Sequence, residues 1–177
     1  MPVMAIHEPL VFLSCGGTIE KIYLPEAGRL GFDRSRVADW AERCRITAPW
    51  RTETIMLIDS LEMTDRDRQH LAQKIAQTPE SRIVVLHGTD TMADSARTTM
   101  LHRKEHQTVV FTGAMVPESL GQSDALFNFG FACAAVQFLP AGAYIAMNGK
   151  IFPADRAQKN SAVGQFEERP ETPVRAR

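Results

Sequence analysis

Apolar residues in this chain come in short runs that end at small or polar residues, with helical patterns between them. Leu10-Val11-Phe12-Leu13, Thr54-Ile55-Met56-Leu57-Ile58, Ile83-Val84-Val85-Leu86, Val109-Val110-Phe111-Thr112 and Ala143-Tyr144-Ile145-Ala146-Met147 are aliphatic and partly β-branched. Runs of this length read as strands buried on both faces. Ser35 to Cys44 places Val37, Trp40 and Ala41 on one helical face. Thr64 opens a second helix, with Asp67 in capping-box spacing and Leu71, Ala72, Ile75 and Ala76 as its inward stripe. A third helix runs through Ala93, Ala96, Met100 and Leu101. A fourth, Ala125 to Phe138, is apolar on most sides and reads as buried. Strand and helix alternate, so the pattern predicts an α/β fold: one three-layer domain, a mostly parallel sheet, right-handed crossovers and helices on both faces. Leu24 to Gly31 is rich in breakers and reads as a mobile surface loop. The domain is expected to occupy residues 1–166. Residues 167–177 lack packable periodicity and read as a polar tail or the start of a linker.

Chemistry enters where the strands stop. The first ends at Gly16-Gly17-Thr18 and the third at His87-Gly88-Thr89-Asp90-Thr91. Glycine allows the sharp turn, and a threonine hydroxyl then stands at the carboxyl edge of the sheet, where open α/β folds bind ligands. Threonine is a nucleophile when a neighbour activates it; the alternative is that each threonine only caps a turn or the next helix. Ser60 follows the second strand, Gly113-Ala114 the fourth, and Lys159 lies beyond the fifth. Thr89, Asp90 and Lys159 are suited to a proton relay, although a lysine acts as base only where burial or nearby charge lowers its pKa. A structural Asp–Lys ion pair is the competing reading.

Composition narrows the classes. The 177 residues suit one core, with 44% apolar and 23% charged residues and a net charge of -1. That balance implies no general attraction to nucleic acid or to an anionic membrane. No apolar run approaches a membrane span, and residues 1–9 lack the pattern of a signal peptide, so a cytoplasmic location is expected. Cys15, Cys44 and Cys133 are odd in number and far apart, which reads as free thiols in a reducing compartment. Cys15 reads as a small buried hydrophobe rather than a nucleophile. The five histidines show no metal-ligand spacing, and no metal or organic cofactor is expected. The nucleophile-elbow, P-loop and dinucleotide-binding patterns are absent, while a phosphate cradle at Gly16-Gly17 stays open as an unspecific alternative.

Gly16-Gly17-Thr18-Ile19 and His87-Gly88-Thr89-Asp90-Thr91-Met92 resemble the two signature motifs of the bacterial-type L-asparaginase family. Asp59-Ser60-Leu61-Glu62-Met63-Thr64, Val110 to Met115, Ser123 to Asn128, Met147-Asn148 and Lys159 continue the likeness. The resemblance implies the fold of the family's N-terminal domain and an amidohydrolase converting L-asparagine to L-aspartate and ammonia without a cofactor. On that likeness Thr18 is the primary nucleophile, and Thr89, Asp90 and Lys159 form the second catalytic cluster. Ser60 holds the substrate α-carboxylate and Asp90 its α-ammonium, with Gly17, Gly88 and Ala114 lining the substrate. Tyr23 matches a mobile tyrosine near the nucleophile, at shorter spacing than usual. Leu61 stands where many members carry a glutamine. The missing second domain resembles the short-chain, single-domain form, and a homo-oligomer is expected to replace its contacts. A glutaminase, an amidotransferase amidase subunit and a non-catalytic amino-acid-binding module are the rival readings.

Overall fold

The alternating runs form one central sheet. The computed structural model describes residues 8–169. In chain order the elements are β1 (Leu10–Gly16), β2 (Ile22–Leu24), β3 (Arg29–Gly31), α1 (Val37–Arg43), β4 (Trp50–Ile58), α2 (Asp65–Gln77) and β5 (Arg82–Leu86). They continue with α3 (Met92–His102), β6 (Thr108–Thr112), α4 (Ala125–Phe138), β7 (Gly142–Met147), β8 (Lys150–Pro153), β9 (Ala157–Asn160) and β10 (Gln165–Glu168). Six strands pair in the order β4-β1-β5-β6-β7-β8. All neighbours are parallel except β7 and β8. The chain leaves β1 toward β4 on one side and then crosses to β5 on the other. The order therefore reverses between β1 and β5, and open α/β sheets bind ligands at the carboxyl ends of strands at such a reversal.

Alternation along β1 explains why both faces are covered. Val11 and Leu13 pack with Ile83, Val85, Leu71, Ile75 and Ala96 beneath α2 and α3. Leu10 and Phe12 face the other way, with Val84, Trp40, Phe129 and Val136 beneath α1 and α4. The Phe12 and Phe129 rings lie 5.2 Å apart, and Trp40 meets Phe129 edge-on at 6.2 Å. Each fully buried side chain of this kind contributes roughly 1.5–3 kcal/mol from apolar burial. The capping box on α2 is present: Asp67 N–H donates to Thr64 Oγ1 (3.3 Å) and Thr64 N–H to Asp67 Oδ2 (2.8 Å).

Several expectations need correction. Leu24 to Gly31 is not structureless, because β2 and β3 pair as a hairpin through Tyr23 opposite Leu30. β4 begins at Trp50, four residues before the apolar run, since its polar half pairs with β1 as well. Lys159 does not follow the fifth strand directly: β8 intervenes, and the lysine sits on β9 in a separate two-stranded sheet with β10. Glu167 and Glu168 are not tail but β10, opposite Gln158 and Ala157. Residues 170–177 of the expected tail, and 1–7 of the amino-terminal segment, lie outside the described residues. On α3 the buried face is Met92, Ala93, Ser95, Ala96 and Thr99, while Leu101 is exposed. α4 is not covered all round, because Phe127 and Phe138 face outward. Among the described residues no helix is long and apolar enough to cross a membrane.

Candidate active site

Backbone contact between three loops builds the crevice. Gly16 and Gly17 both hold positive φ (81° and 75°), a region that side chains disfavour. Gly17 N–H donates to Ile58 O at 2.9 Å, tying the turn after β1 to the end of β4. A Cβ on Gly17 would stand 2.2 Å from the Gly88 nitrogen, and one on Gly88 only 2.4 Å from Ser60 Oγ. Neither position admits a methyl group without separating the loops. The residue after each glycine, Thr18 and Thr89, is thereby brought to the same strand-end junction. Thr18 is half-buried and begins a 3-10 turn, Thr18–Glu20, closed by Glu20 N–H to Gly17 O and Lys21 N–H to Thr18 O.

The second cluster is held by direct side-chain contacts. Lys159 Nζ lies 2.9 Å from Thr89 Oγ1 and donates to Asp90 Oδ1 at 2.7 Å. Thr89 is almost fully buried, whereas Asp90 opens to solvent. Thr91 Oγ1 donates to Ser60 O at 2.8 Å, linking this loop to the end of β4. Ser60 is buried, and its own hydroxyl has no partner among the described residues. A buried hydroxyl without a protein partner is free to bond to a ligand or water. Residues separated by as much as 70 positions thus converge on one edge of the sheet.

The chain matches the family model described as asparaginase, N-terminal, over residues 9–175. It belongs to the bacterial-type L-asparaginase family. L-asparaginase 1 of Escherichia coli (strain K12) is 31% identical over 160 residues, 84% of this chain and 46% of the relative. Glutaminase-asparaginase of Pseudomonas fluorescens biotype A is 27% identical over 155 residues, covering 80% of this chain and 42% of that protein. The thermostable L-asparaginase from Thermococcus kodakarensis superposes with a TM-score of 0.78 at 27% identity, across 90% of this chain and 51% of that one. The chain spans about half the length of the relatives it matches.

The remaining expected site residues of this asparaginase-family chain divide clearly. Tyr23 is 56% exposed on the outer hairpin, paired opposite Leu30. Ala114 is fully buried with the α4 cluster, so its side chain belongs to the core and only its backbone is left to face the crevice. Leu61 is 72% exposed, and its N–H donates to Asp59 Oδ1 at 3.0 Å. Cys15 is buried, and burial pushes its thiol far above the ordinary range; burial likewise raises Cys133 to about 12. Thiols held protonated in this way are poor nucleophiles. Among the described residues no group of three or more His, Cys, Asp or Glu side chains is placed to hold a metal ion.

Other residues shape the crevice without having stood out in the sequence. Lys21 forms an ion pair with Asp59 at the rim. Partial burial pushes the Asp59 carboxyl up, but the Lys21 ammonium and the Leu61 N–H more than offset it, leaving the group below its ordinary value. Asp124 accepts from Met115 N–H (3.0 Å), Val116 N–H (3.1 Å) and Asn128 Nδ2 (2.9 Å), which fixes the loop after β6. Asn128 in turn donates to Gly113 O and accepts from Asn148 N–H, joining the ends of β6 and β7. Asp59, Met115, Asp124, Asn128 and Asn148 lie in segments that carried the family likeness, Lys21 and Val116 do not, and nothing in the spacing marked these partners.

His87 lies fully buried beside this network. Nδ1 is 2.7 Å from Gly88 O, Nε2 has no partner among the described residues, and the ring meets Phe111 edge-on at 5.9 Å. Burial lowers its pKa to about 4, with Arg68 adding to that and Gly88 O and Asp94 opposing it. Because the folded value lies below the unfolded one, the unfolded chain binds more protons between them. The contribution to stability is therefore present above about pH 6.5 and lost as pH falls toward 4. Denaturant titrations at pH 7 and 4.5 are expected to show wild type losing on the order of 2 kcal/mol more than His87→Gln. Equal losses in the two proteins would remove His87 as the source.

Proposed function

We propose that this chain is an L-asparaginase that hydrolyses the side-chain amide through Thr18. The observation that carries the reading is the Thr89–Lys159–Asp90 cluster lodged beside the Gly17–Gly88 contact, one residue from each threonine. Thr18 Oγ1 attacks the amide carbon while its proton is handed to a base, and ammonia leaves with a proton from the same relay. The resulting ester on Thr18 is opened by water, which releases aspartate and restores the hydroxyl. Thr89 and Lys159 hold and move the proton of that water, and Asp90 orients the lysine. Backbone N–H groups at the glycine turns are suited to the developing oxyanion.

A zwitterionic substrate needs a carboxylate site and an ammonium site. Ser60 supplies the first, with its unpartnered buried hydroxyl. Asp90 supplies the second, with a carboxylate that is partly open to solvent. These anchors and the attack point act as a ruler. Glutamine shifts the amide by about one bond length, and roughly 1 Å of misplacement can cost about 10²-fold in rate. Leu61 projects outward and offers no polar contact to recapture a shifted ammonium group.

The test is ammonia release by the purified protein from L-asparagine, L-glutamine and their D-enantiomers. L-asparagine is expected to have the highest kcat/KM. Comparable values for the two L-amides would favour a glutaminase-asparaginase, a reading that the Pseudomonas fluorescens relative's name makes specific. No release from any of the four would leave an amino-acid-binding module. The buried, unpaired thiols Cys15 and Cys133 suit a reducing compartment, and a cytoplasmic homo-oligomer completes the proposal.

A further inference from the structure

Glu20 is buried to 1% exposure, and no cation pairs with it among the described residues. Burial pushes its carboxyl up, opposed by four hydrogen bonds from neutral donors. Oε2 accepts from Ser14 Oγ (2.5 Å) and Gly16 N–H (3.1 Å). Oε1 accepts from Ser35 Oγ (2.7 Å) and Arg36 N–H (3.1 Å). The backbone of the same residue closes the turn, since Glu20 N–H donates to Gly17 O at 3.1 Å. Glu20 therefore grips both sides of Gly16-Gly17, the two positive-φ residues that aim Thr18, and ties them to the start of α1.

We propose that Glu20 is the positioning residue for Thr18, acting through the Gly16-Gly17 turn; this rests on Thr18 being the nucleophile. The chemistry of the four donors explains why a carboxylate is required. Each oxygen faces one hydroxyl and one backbone N–H. A hydroxyl can rotate to accept, but a backbone N–H can only donate. A glutamine has one oxygen and one NH2, so whichever way it turns, its NH2 meets an N–H of Gly16 or Arg36. An aspartate is one methylene shorter and cannot span the two anchors. Lys21, Asp33, Arg34 and the Arg36 side chain lie nearby, but their charges are turned to other partners: Lys21 to Asp59, Arg34 to Asp39, and Arg36 to Asp33.

The experiment compares wild type with Glu20→Gln by steady-state ammonia release and by the amide resonances of 15N-labelled Gly16, Gly17 and Thr18. The expected result is a kcat at least about tenfold lower, a KM within about twofold of wild type, and movement of the Gly16 and Thr18 resonances. A group that merely stabilises the fold would lower the melting temperature and leave the kcat of the folded protein intact. That outcome, or a raised KM with unchanged kcat, overturns the proposal. Should Glu20→Gln fail to fold, Ser14→Ala removes one donor from Oε2 and keeps the charge. It is expected to lower kcat severalfold at constant KM, and an unchanged kcat overturns the proposal. Should wild type release ammonia from neither amide, the proposed function fails by itself. The resonances then decide alone whether Glu20 holds the turn: unmoved signals overturn that role, and displaced ones support it.

Discussion

Thr18→Ala is expected to yield a folded protein with no measurable ammonia release from L-asparagine. The substitution removes one hydroxyl and one methyl from a half-buried position at the start of a 3-10 turn. The turn itself is held by other groups, namely Gly17 N–H on Ile58 O and the Glu20 and Lys21 N–H groups on Gly17 and Thr18 carbonyls. None of these requires the threonine side chain. On the proposed covalent mechanism the variant keeps only binding and oxyanion stabilisation, so the loss should exceed about 10³-fold. Circular dichroism establishes the fold, and a direct ammonia assay measures turnover. A folded variant with wild-type turnover would dismiss Thr18 as the attacking group.

Lys159→Met comes next, with an expected fall in kcat of about 10²-fold or more and a smaller change in KM. Methionine keeps most of the stem that reaches across from β9 and removes the ammonium that contacts Thr89 and Asp90. Thr89 stays buried and loses its Lys159 partner. Asp90 remains partly open to solvent, so losing its ion-pair partner costs little stability. Steady-state kinetics separates the roles: a rise in KM at constant kcat would make the lysine a binding or structural residue.

What could be read in advance follows from the range of the interactions. The apolar runs and the capping box at Thr64 and Asp67 are local, and they lead directly to the strands and α2. The two glycine turns were legible because strand ends in an alternating fold share an edge, however far apart they lie along the chain. The cluster Thr89–Asp90–Lys159 was visible as residue types, but the sheet that carries Lys159 was not. β9 and β10 are four-residue, mostly polar strands with no apolar run to announce them. Glu20 escaped notice for a related reason. A glutamate beside a surface loop looks solvated, and only the fold shows Ser14, Ser35 and two backbone amides closing over it. Phe127 and Phe138 failed in the opposite direction, because helical periodicity cannot say which apolar faces of α4 find a cover.

Lys159 is carried by a small two-stranded sheet that packs on the main core through Ala157 and Phe166 but pairs with none of its strands. The large sheet is stitched by parallel ladders and covered on both faces. The small one is anchored to the rest by Arg97 donating to Ala157 O (3.1 Å) and by the Phe152–Phe166 pair. An isolated two-stranded unit is marginal in water, and local openings draw first on such elements. Loss of the Lys159–Thr89 contact is therefore expected at a lower temperature than melting of the large sheet, so that heating would separate the lysine from the core before the core itself opens.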